Sequence, residues 1–262
     1  DICVVVGDNE AVLRDALGDG SDQGITLAYA RQTEPKGLAH AVSFTQDFVG
    51  GDSFVLYLGD AIYDRSLAPF ADRFRESRCA NLNLVKPVPD PSRFGVANVE
   101  GERIVKLVEK PKQPESNLAM AGLYFFGPEI WSVIPDLQPS WRGEYEITDA
   151  IQMLVDRGQV VLAGVYEGEW FDTGTLDSFL ETSAFLLDGG HALGGGSEVD
   201  GQVGPKTCVG DGAKLACTSI EDSVILPGAD VRVSGTIRHC ILGGTVTAEG
   251  DLVGQIRYGD AG

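Results

Sequence analysis

The 262 residues carry 39 acidic against 20 basic side chains, a formal net charge of −19, and 43% of them are hydrophobic. So negative a surface repels nucleic acid and anionic membrane, which excludes both as expected partners, while the length and apolar content allow a large core in one or two domains. Five widely spaced cysteines without a C-x-x-C pair, and three histidines without metal-ligand spacing, argue for free thiols in a reducing compartment and against a disulfide frame or a zinc site. No apolar run reaches about 18 residues and no signal peptide is present, so a soluble, cytoplasmic protein is expected.

The chain opens at Asp1 directly into the apolar run Ile2-Cys-Val-Val-Val6, a strand pattern, and a chain that opens inside a strand looks like a fragment. Positions 9–17 have helical spacing and end at a glycine turn, and positions 25–30 read as a second strand. That turn, Gly18-Asp-Gly-Ser21, faintly resembles a calcium loop, but the positions that should carry its remaining carboxylates hold Ser21, Gln23 and Ala30. Gln32, Pro35 and Gly37 then lead into a helix. A glycine before a helix N-terminus permits close backbone approach to an anionic or planar ligand, and the Gln32 amide could bond a base edge.

Phe54-Val-Leu-Tyr-Leu-Gly-Asp60 reads as a strand buried on both faces of a parallel sheet, delivering the Asp60 carboxylate where open α/β sheets bind ligands. Positions 67–75 read as a helix and 81–85 as a strand. The runs 94–99 and 104–109, separated by Glu100-Gly-Glu-Arg103, signal a hairpin that leads into Glu109-Lys-Pro111. On an extended segment Glu109 and Lys110 point to opposite faces, so they need not pair; Lys110 could neutralise a phosphate and Glu109 accept from hydroxyls. Positions 120–126 form a strand, Trp141 to Ala150 open a helix running to about Asp156, and 160–165 form a further strand. Trp170-Phe-Asp-Thr-Gly-Thr175 precedes a helix over 176–188. Asp172-Thr-Gly174 matches an aspartic protease signature, yet such enzymes need two copies and a β-rich frame, and this chain offers one copy among alternating strands and helices.

From Gly189 the composition turns to glycine and short aliphatics, with no aromatic residue until Tyr258. Val203, Val209 and Leu215 recur every six residues, and Ile220 with Leu226, then Val231 with Ile237, continue the period after one-residue slips. Six-residue aliphatic repeats mark a β-helix, here three to four coils of about eighteen residues each.

Taken together, these stretches resemble the sugar-1-phosphate nucleotidyltransferases, most closely the long-form glucose-1-phosphate thymidylyltransferases that end in a left-handed β-helix. The matching segments are Gln32 through Ala41, Leu58-Gly-Asp60, Phe94-Gly-Val96, Glu109-Lys-Pro111 with Ser116-Asn117, Gly122-Leu-Tyr124, Arg142 through Asp149, and Trp170 through Gly174. The resemblance implies a Rossmann-like α/β sheet with helices on both faces over 1–188 and a left-handed parallel β-helix of hexapeptide repeats over 189–262. It implies that the phosphate of a sugar 1-phosphate attacks the α-phosphorus of a nucleoside triphosphate, giving an NDP-sugar and pyrophosphate. Asp60 and Asp172 would hold the Mg²⁺ that bridges the two substrates, and a divalent ion with a lysine cancels the repulsion between two polyanions. Lys110 would meet the sugar phosphate, Leu58, Gly95 and Glu109 the sugar, and Gln32, Pro35 and Gly37, with Asp60, the nucleotide. No protein nucleophile is implied.

The family's Gly-rich triphosphate loop, with its arginine and following lysine, would precede Asp1, so the intact protein is expected to be active and these 262 residues alone inactive. The resemblance favours dTTP with glucose 1-phosphate. UTP is the rival, because a 5-methyl group separates the two bases and discrimination of that size is worth roughly 1–3 kcal/mol. A non-catalytic sugar-nucleotide sensor would be expected to lose the two aspartates or Lys110, and all three are present. A homo-oligomer joined through the β-helix is expected alongside catalysis. Only seven lysines accompany thirteen arginines, and an acidic, Lys-poor surface suits a salt-rich cytoplasm. The thermal unfolding midpoint is accordingly expected to rise with added KCl in calorimetry, and a flat response would rule out salt adaptation.

Overall fold

The computed structural model describes residues 1–259. In chain order its first elements are β1 (Ile2–Val6), α1 (Glu10–Leu17), β2 (Leu27–Arg31), α2 (Leu38–Ser43), α3 (Gln46–Val49), β3 (Phe54–Tyr57), β4 (Ala61–Tyr63) and α4 (Ala68–Ser77). Next come β5 (Asn81–Pro87), β6 (Gly95–Glu100), β7 (Arg103–Glu109), β8 (Leu118–Phe126), α5 (Ile147–Asp156), β9 (Val161–Val165), β10 (Trp170–Asp172) and α6 (Leu176–Leu186). Short parallel strands fill the remainder to Tyr258. Contacts group Asp1–Gly59 with Arg65–Gly168 as one unit and Asp60–Asp64 with Glu169–Gly262 as another, positions 260–262 of the second lying outside the described residues. No helix among the described residues is long and apolar enough to cross a membrane.

In the first unit, a mixed six-stranded sheet runs in the order β3-β8-β5-β9-β7-β6. Within it β5 and β9 are parallel and the other neighbours antiparallel. Strand β8 occupies an inner position because eight of its nine residues, Ala119 to Phe126, are buried. Ile147, Ala150, Ile151 and Leu154 of α5 recur at helical spacing and join Val85, Leu107, Met120 and Phe126 in the core beneath the sheet. Strands β1 and β2 pair in parallel as a separate two-stranded sheet.

Three expectations are corrected. The strand at 54–58 is not a doubly buried parallel strand: β3 lies at the edge, antiparallel to β8, with Val55 51% and Tyr57 47% exposed. An unbroken apolar run does not reveal how many neighbours a strand has; with one neighbour, β3 turns alternate side chains away from the core. The helix expected from Trp141 begins only at Ile147, because Glu146 is extended and the residues before it form a turn, with the Gly143 N–H donating to the Ser140 carbonyl and the Ser140 N–H to the Glu144 carbonyl.

The β-helix coils are also shorter than eighteen residues. Lys214 pairs with Asp230 sixteen residues on, Ser219 with Thr236 seventeen on, and Ile237 with Leu252 fifteen on. Three inward columns form the core of this unit: Val199, Leu215, Val231 and Val246; Val203, Ile220, Ile237 and Leu252; and Val209, Ile225 and Leu242. Slips of one or two residues occur at the corners, where the aliphatic period carries no information.

Because Ile237 is 1% exposed between Ile220 and Leu252, Ile237→Ala is expected to destabilise this unit by about 2–5 kcal/mol in denaturant unfolding. Val253→Ala, at a residue 57% exposed, is expected to change stability by less than about 0.5 kcal/mol.

Candidate active site

The β6–β7 hairpin sets Gly95 directly opposite Glu109. A Cβ on Gly95 would come 2.5 Å from Thr148 Cγ2, 3.1 Å from Met120 Cγ and 3.2 Å from Glu109 Oε2, so only glycine leaves this notch open. The Thr148 hydroxyl, on the first turn of α5, donates to Glu109 Oε2 at 3.0 Å. Lys110 Nζ and Arg142 Nη1 each stand 3.8 Å from Glu109 Oε1. Burial, reinforced by the Glu146 carboxylate, raises the Glu109 pKa; Thr148, Lys110 and Arg142 pull against that shift.

Lys110 and Glu109 do face each other, contrary to the expectation for an extended segment. Lys110 has φ of 42°, so the backbone leaves the strand at this residue and swings the ammonium back toward the carboxylate. Arg142 also reaches Glu144 at 2.9 Å and the buried Glu146 at 3.3 Å, and Glu146 accepts from the Ser140 hydroxyl at 2.9 Å. One guanidinium thus spans three carboxylates around the notch.

Gln32, Pro35 and Gly37 lie on the loop between β2 and α2. The Gln32 amide nitrogen donates to the Gly37 carbonyl at 3.2 Å and lies 3.0 Å from His40 Nδ1, so it braces its own loop. Gly37 has φ of 104°, and a Cβ there would fall 2.6 Å from the Tyr145 carbonyl oxygen. The Tyr145 N–H donates to the Lys36 carbonyl at 2.7 Å and the Ala39 N–H to the Tyr145 carbonyl at 3.0 Å, one bond on each side of that glycine. Pro35 stands between Glu34 and Lys36, which form an ion pair. The Leu58 N–H donates to the Gly122 carbonyl at 2.9 Å, which extends the β3–β8 pairing by one residue.

Asp60 and Asp172 belong to the second unit. Strands β4 and β10 pair antiparallel, with Ala61 opposite Asp172 and Tyr63 opposite Trp170. Beyond that pairing the Thr173 N–H and hydroxyl both donate to the Asp60 carbonyl, at 2.9 and 3.0 Å. The Gly174 N–H donates to Asp172 Oδ1 at 3.2 Å. A Cβ on Gly174 would lie 3.1 Å from Asp172 Oδ1 and 3.9 Å from Asp60 Oδ2, so both carboxylates border the same small space, which the missing side chain leaves clear. Thr175 then caps α6: its side chain accepts from the Ser178 N–H, and the Ser178 hydroxyl accepts from the Thr175 N–H.

An exposed carboxylate, Asp60, and a partly buried one, Asp172, supply hard oxygen ligands, which suits a divalent ion that keeps several waters. No group of three or more His, Cys, Asp or Glu placed to hold a metal occurs among the described residues. The pair therefore fits a Mg²⁺ that takes part of its shell from water and substrate, and does not fit an all-protein cage.

Thr148, Arg142, Glu146 and Tyr145 escaped assignment from sequence. The signal was present, since all four lie in the segment from Arg142 to Asp149, but without the fold nothing shows that this segment folds over the 95–109 hairpin and the Gly37 loop.

A family model described as nucleotidyl transferase matches residues 1–189. The chain is 35% identical over 292 residues to a glucose-1-phosphate thymidylyltransferase of Streptomyces antibioticus, spanning 97% of this chain and 79% of that protein. It is 35% identical over 269 residues to the low-salt glycan biosynthesis nucleotidyltransferase Agl11 of Haloferax volcanii, spanning 88% and 75%. Among solved structures it resembles a glucose-1-phosphate thymidylyltransferase described as putative, from Bacillus anthracis in complex with a sucrose, with a TM-score of 0.67 and 35% identity over 72% of this chain and 76% of that one. With its first 189 residues matched and its relatives aligned along most of its length, the chain belongs to the nucleotidyl transferase family and is a sugar-1-phosphate nucleotidyltransferase.

Proposed function

We propose that the protein transfers a thymidylyl group from dTTP to glucose 1-phosphate, releasing pyrophosphate and forming dTDP-glucose. The observation that carries this reading is the convergence of the Asp60 and Asp172 carboxylates on the space beside Gly174. The relative of Streptomyces antibioticus that is named for this reaction supports the choice of substrates. The sugar phosphate's oxygen forms the new bond to the α-phosphorus, and the bond from that phosphorus to the β-phosphate bridge breaks, with pyrophosphate leaving. A bound Mg²⁺ would supply charge neutralisation between the two polyanions.

The chain's own groups have separate tasks. Asp60 and Asp172 are the ligands to that ion. Glu109, oriented by the Thr148 hydroxyl, accepts from sugar hydroxyls in the notch that Gly95 keeps open, and Leu58 also contacts the sugar. Lys110 meets the sugar phosphate as a cation. The 32–37 loop, held by the Tyr145 backbone, presents Gln32, Pro35 and Gly37 to the base. We also infer a cytoplasmic homo-oligomer; the free state of all five cysteines supports the reducing compartment.

The deciding experiment crosses dTTP and UTP against glucose 1-phosphate in the intact protein and follows pyrophosphate release. Higher kcat/KM with dTTP is expected, and preference for UTP would replace the base assignment. Asp60→Asn and Asp172→Asn are each expected to lower kcat by roughly 100-fold or more; a folded variant with undiminished activity would remove the metal role. Gly95→Ala should raise the KM for glucose 1-phosphate on the order of tenfold or more, by forcing Thr148 and Glu109 apart. Because burial raises the Glu109 pKa, this group should protonate above the ordinary glutamate range as pH falls. The KM for glucose 1-phosphate should therefore climb on acidification at a higher pH than a solvated glutamate would produce, and Glu109→Gln should abolish that dependence.

A further inference from the structure

The second unit contains a contact that the reaction does not call for. His239 lies at a β-helix corner between the strands Thr236–Arg238 and Ile241–Gly243, and its Nδ1 is 2.7 Å from Asp222 Oδ2 while its Nε2 is 2.8 Å from Asp177 Oδ1. Asp177 is on the first turn of α6, five residues after Asp172. Lys206, Asp222, His239 and Gly254 turn successive coils at this corner with φ of 54°, 45°, 55° and 65°. Glycine takes such a conformation without penalty, whereas each side-chain-bearing residue costs about 1–2 kcal/mol there. Lys206 and Asp222 share that conformation, so what sets His239 apart is that its ring bridges two carboxylates, one on the preceding coil and one on α6, which points to a task for its side chain.

That task follows from what else holds α6. Leu176, Phe179 and Leu180 lie on an apolar patch of Cys208, Val224, Leu226 and Ile241. Apolar packing is non-directional and fixes which face is buried better than it fixes the helix along its own axis. The His239–Asp177 bond is directional and anchors the first turn. From that turn the chain runs through the Thr175 cap to Gly174, whose N–H holds Asp172 Oδ1. We propose that His239 is a positioning residue for the two-aspartate metal site: by pinning Asp177 to the β-helix it fixes the start of α6 and, through it, the Asp172 carboxylate. The β-helix then contributes to metal binding as well as to architecture. This inference rests on the reading of Asp60 and Asp172 as metal ligands.

Imidazole donates from both nitrogens only as the cation. The hydrogen bonds to Asp222 and then Asp177 raise the His239 pKa, so both bonds persist below its ordinary titration and one is lost as pH rises through the raised value. Charged groups near this corner include the Glu221–Arg238 ion pair, at 2.6 Å, and Lys206 one coil away.

The test uses Mn²⁺ in place of Mg²⁺ and reads its binding to the intact protein by paramagnetic resonance, without substrates, alongside amide exchange at positions 174–178. Asp172→Asn is expected to abolish the specific Mn²⁺ signal. His239→Gln is expected to weaken Mn²⁺ binding roughly three- to tenfold and to speed exchange at the Gly174 amide. The wild-type Mn²⁺ affinity should fall as pH rises through the raised His239 pKa, above the ordinary histidine range, while that of His239→Gln stays flat. Asp177→Asn leaves the His239–Asp222 bond within the β-helix intact and should weaken Mn²⁺ binding in the same direction, which decides the matter if His239→Gln fails to fold. A role in stability alone would lower the unfolding midpoint and leave Mn²⁺ affinity and Gly174 exchange at wild-type values; that result in either folded variant overturns the inference. If Asp172→Asn binds Mn²⁺ like wild type, the metal reading itself falls and the inference with it.

Discussion

Two carboxylates that repel each other face one small space, and backbone bonds between two short segments of the second unit hold them there. Asp60 and Asp172 are distant in sequence, and like charges brought together favour separation or protonation. What holds them is backbone: the antiparallel β4–β10 pairing and the two hydrogen bonds from Thr173 to the Asp60 carbonyl lock the chain on either side, while side chains remain available for a cation. Gly174 is the complement of this arrangement, since a side chain there would enter the space the carboxylates border. The grouping of residues 60–64 with 169 onward is a direct consequence, because a segment inserted early in the chain finds its partner strand only here.

In the first unit the chain comes close to itself at two points, and both rest on glycine. Gly95 is needed because Thr148 and Met120 crowd the strand end from above and Glu109 from across it. Gly37 is needed because the Tyr145 backbone passes within hydrogen-bond reach on both sides of it. In each case the neighbour comes from the Arg142 to Asp149 segment or the α5 helix that follows it. One stretch of chain therefore shapes both the Gly95 notch and the Gly37 loop. The charge network around Arg142 makes the notch electrostatically tense: Glu109 is buried beside Glu146, and its ionised form depends on Lys110, Arg142 and the Thr148 hydroxyl.

Much of this was legible from residues alone, and the limits are instructive. The existence of most strands and helices followed from apolar periodicity, and the β-helix followed from its aliphatic repeat, because both signals arise from burial and burial is written into residue type. Partner number was not legible: the run from Phe54 to Leu58 looks the same for an edge strand as for a central one. Coil length was misjudged because corners take one or two residues more or fewer without disturbing the inward columns. The relation of Glu109 to Lys110 was misjudged because a single left-handed residue, invisible in a lysine codeword, reverses which way a side chain faces.

By itself the sequence determined the fold class, the order of most elements, the β-helix and the family, since these depend on local pattern and on motifs read in order. Only the tertiary structure decided which of them meet. Asp60 and Asp172 converge through a strand pairing across more than a hundred residues, Thr148 and Arg142 close on Glu109, and His239 reaches Asp177 from a β-helix corner. Those encounters are long-range contacts between groups whose individual patterns carry no record of their partners.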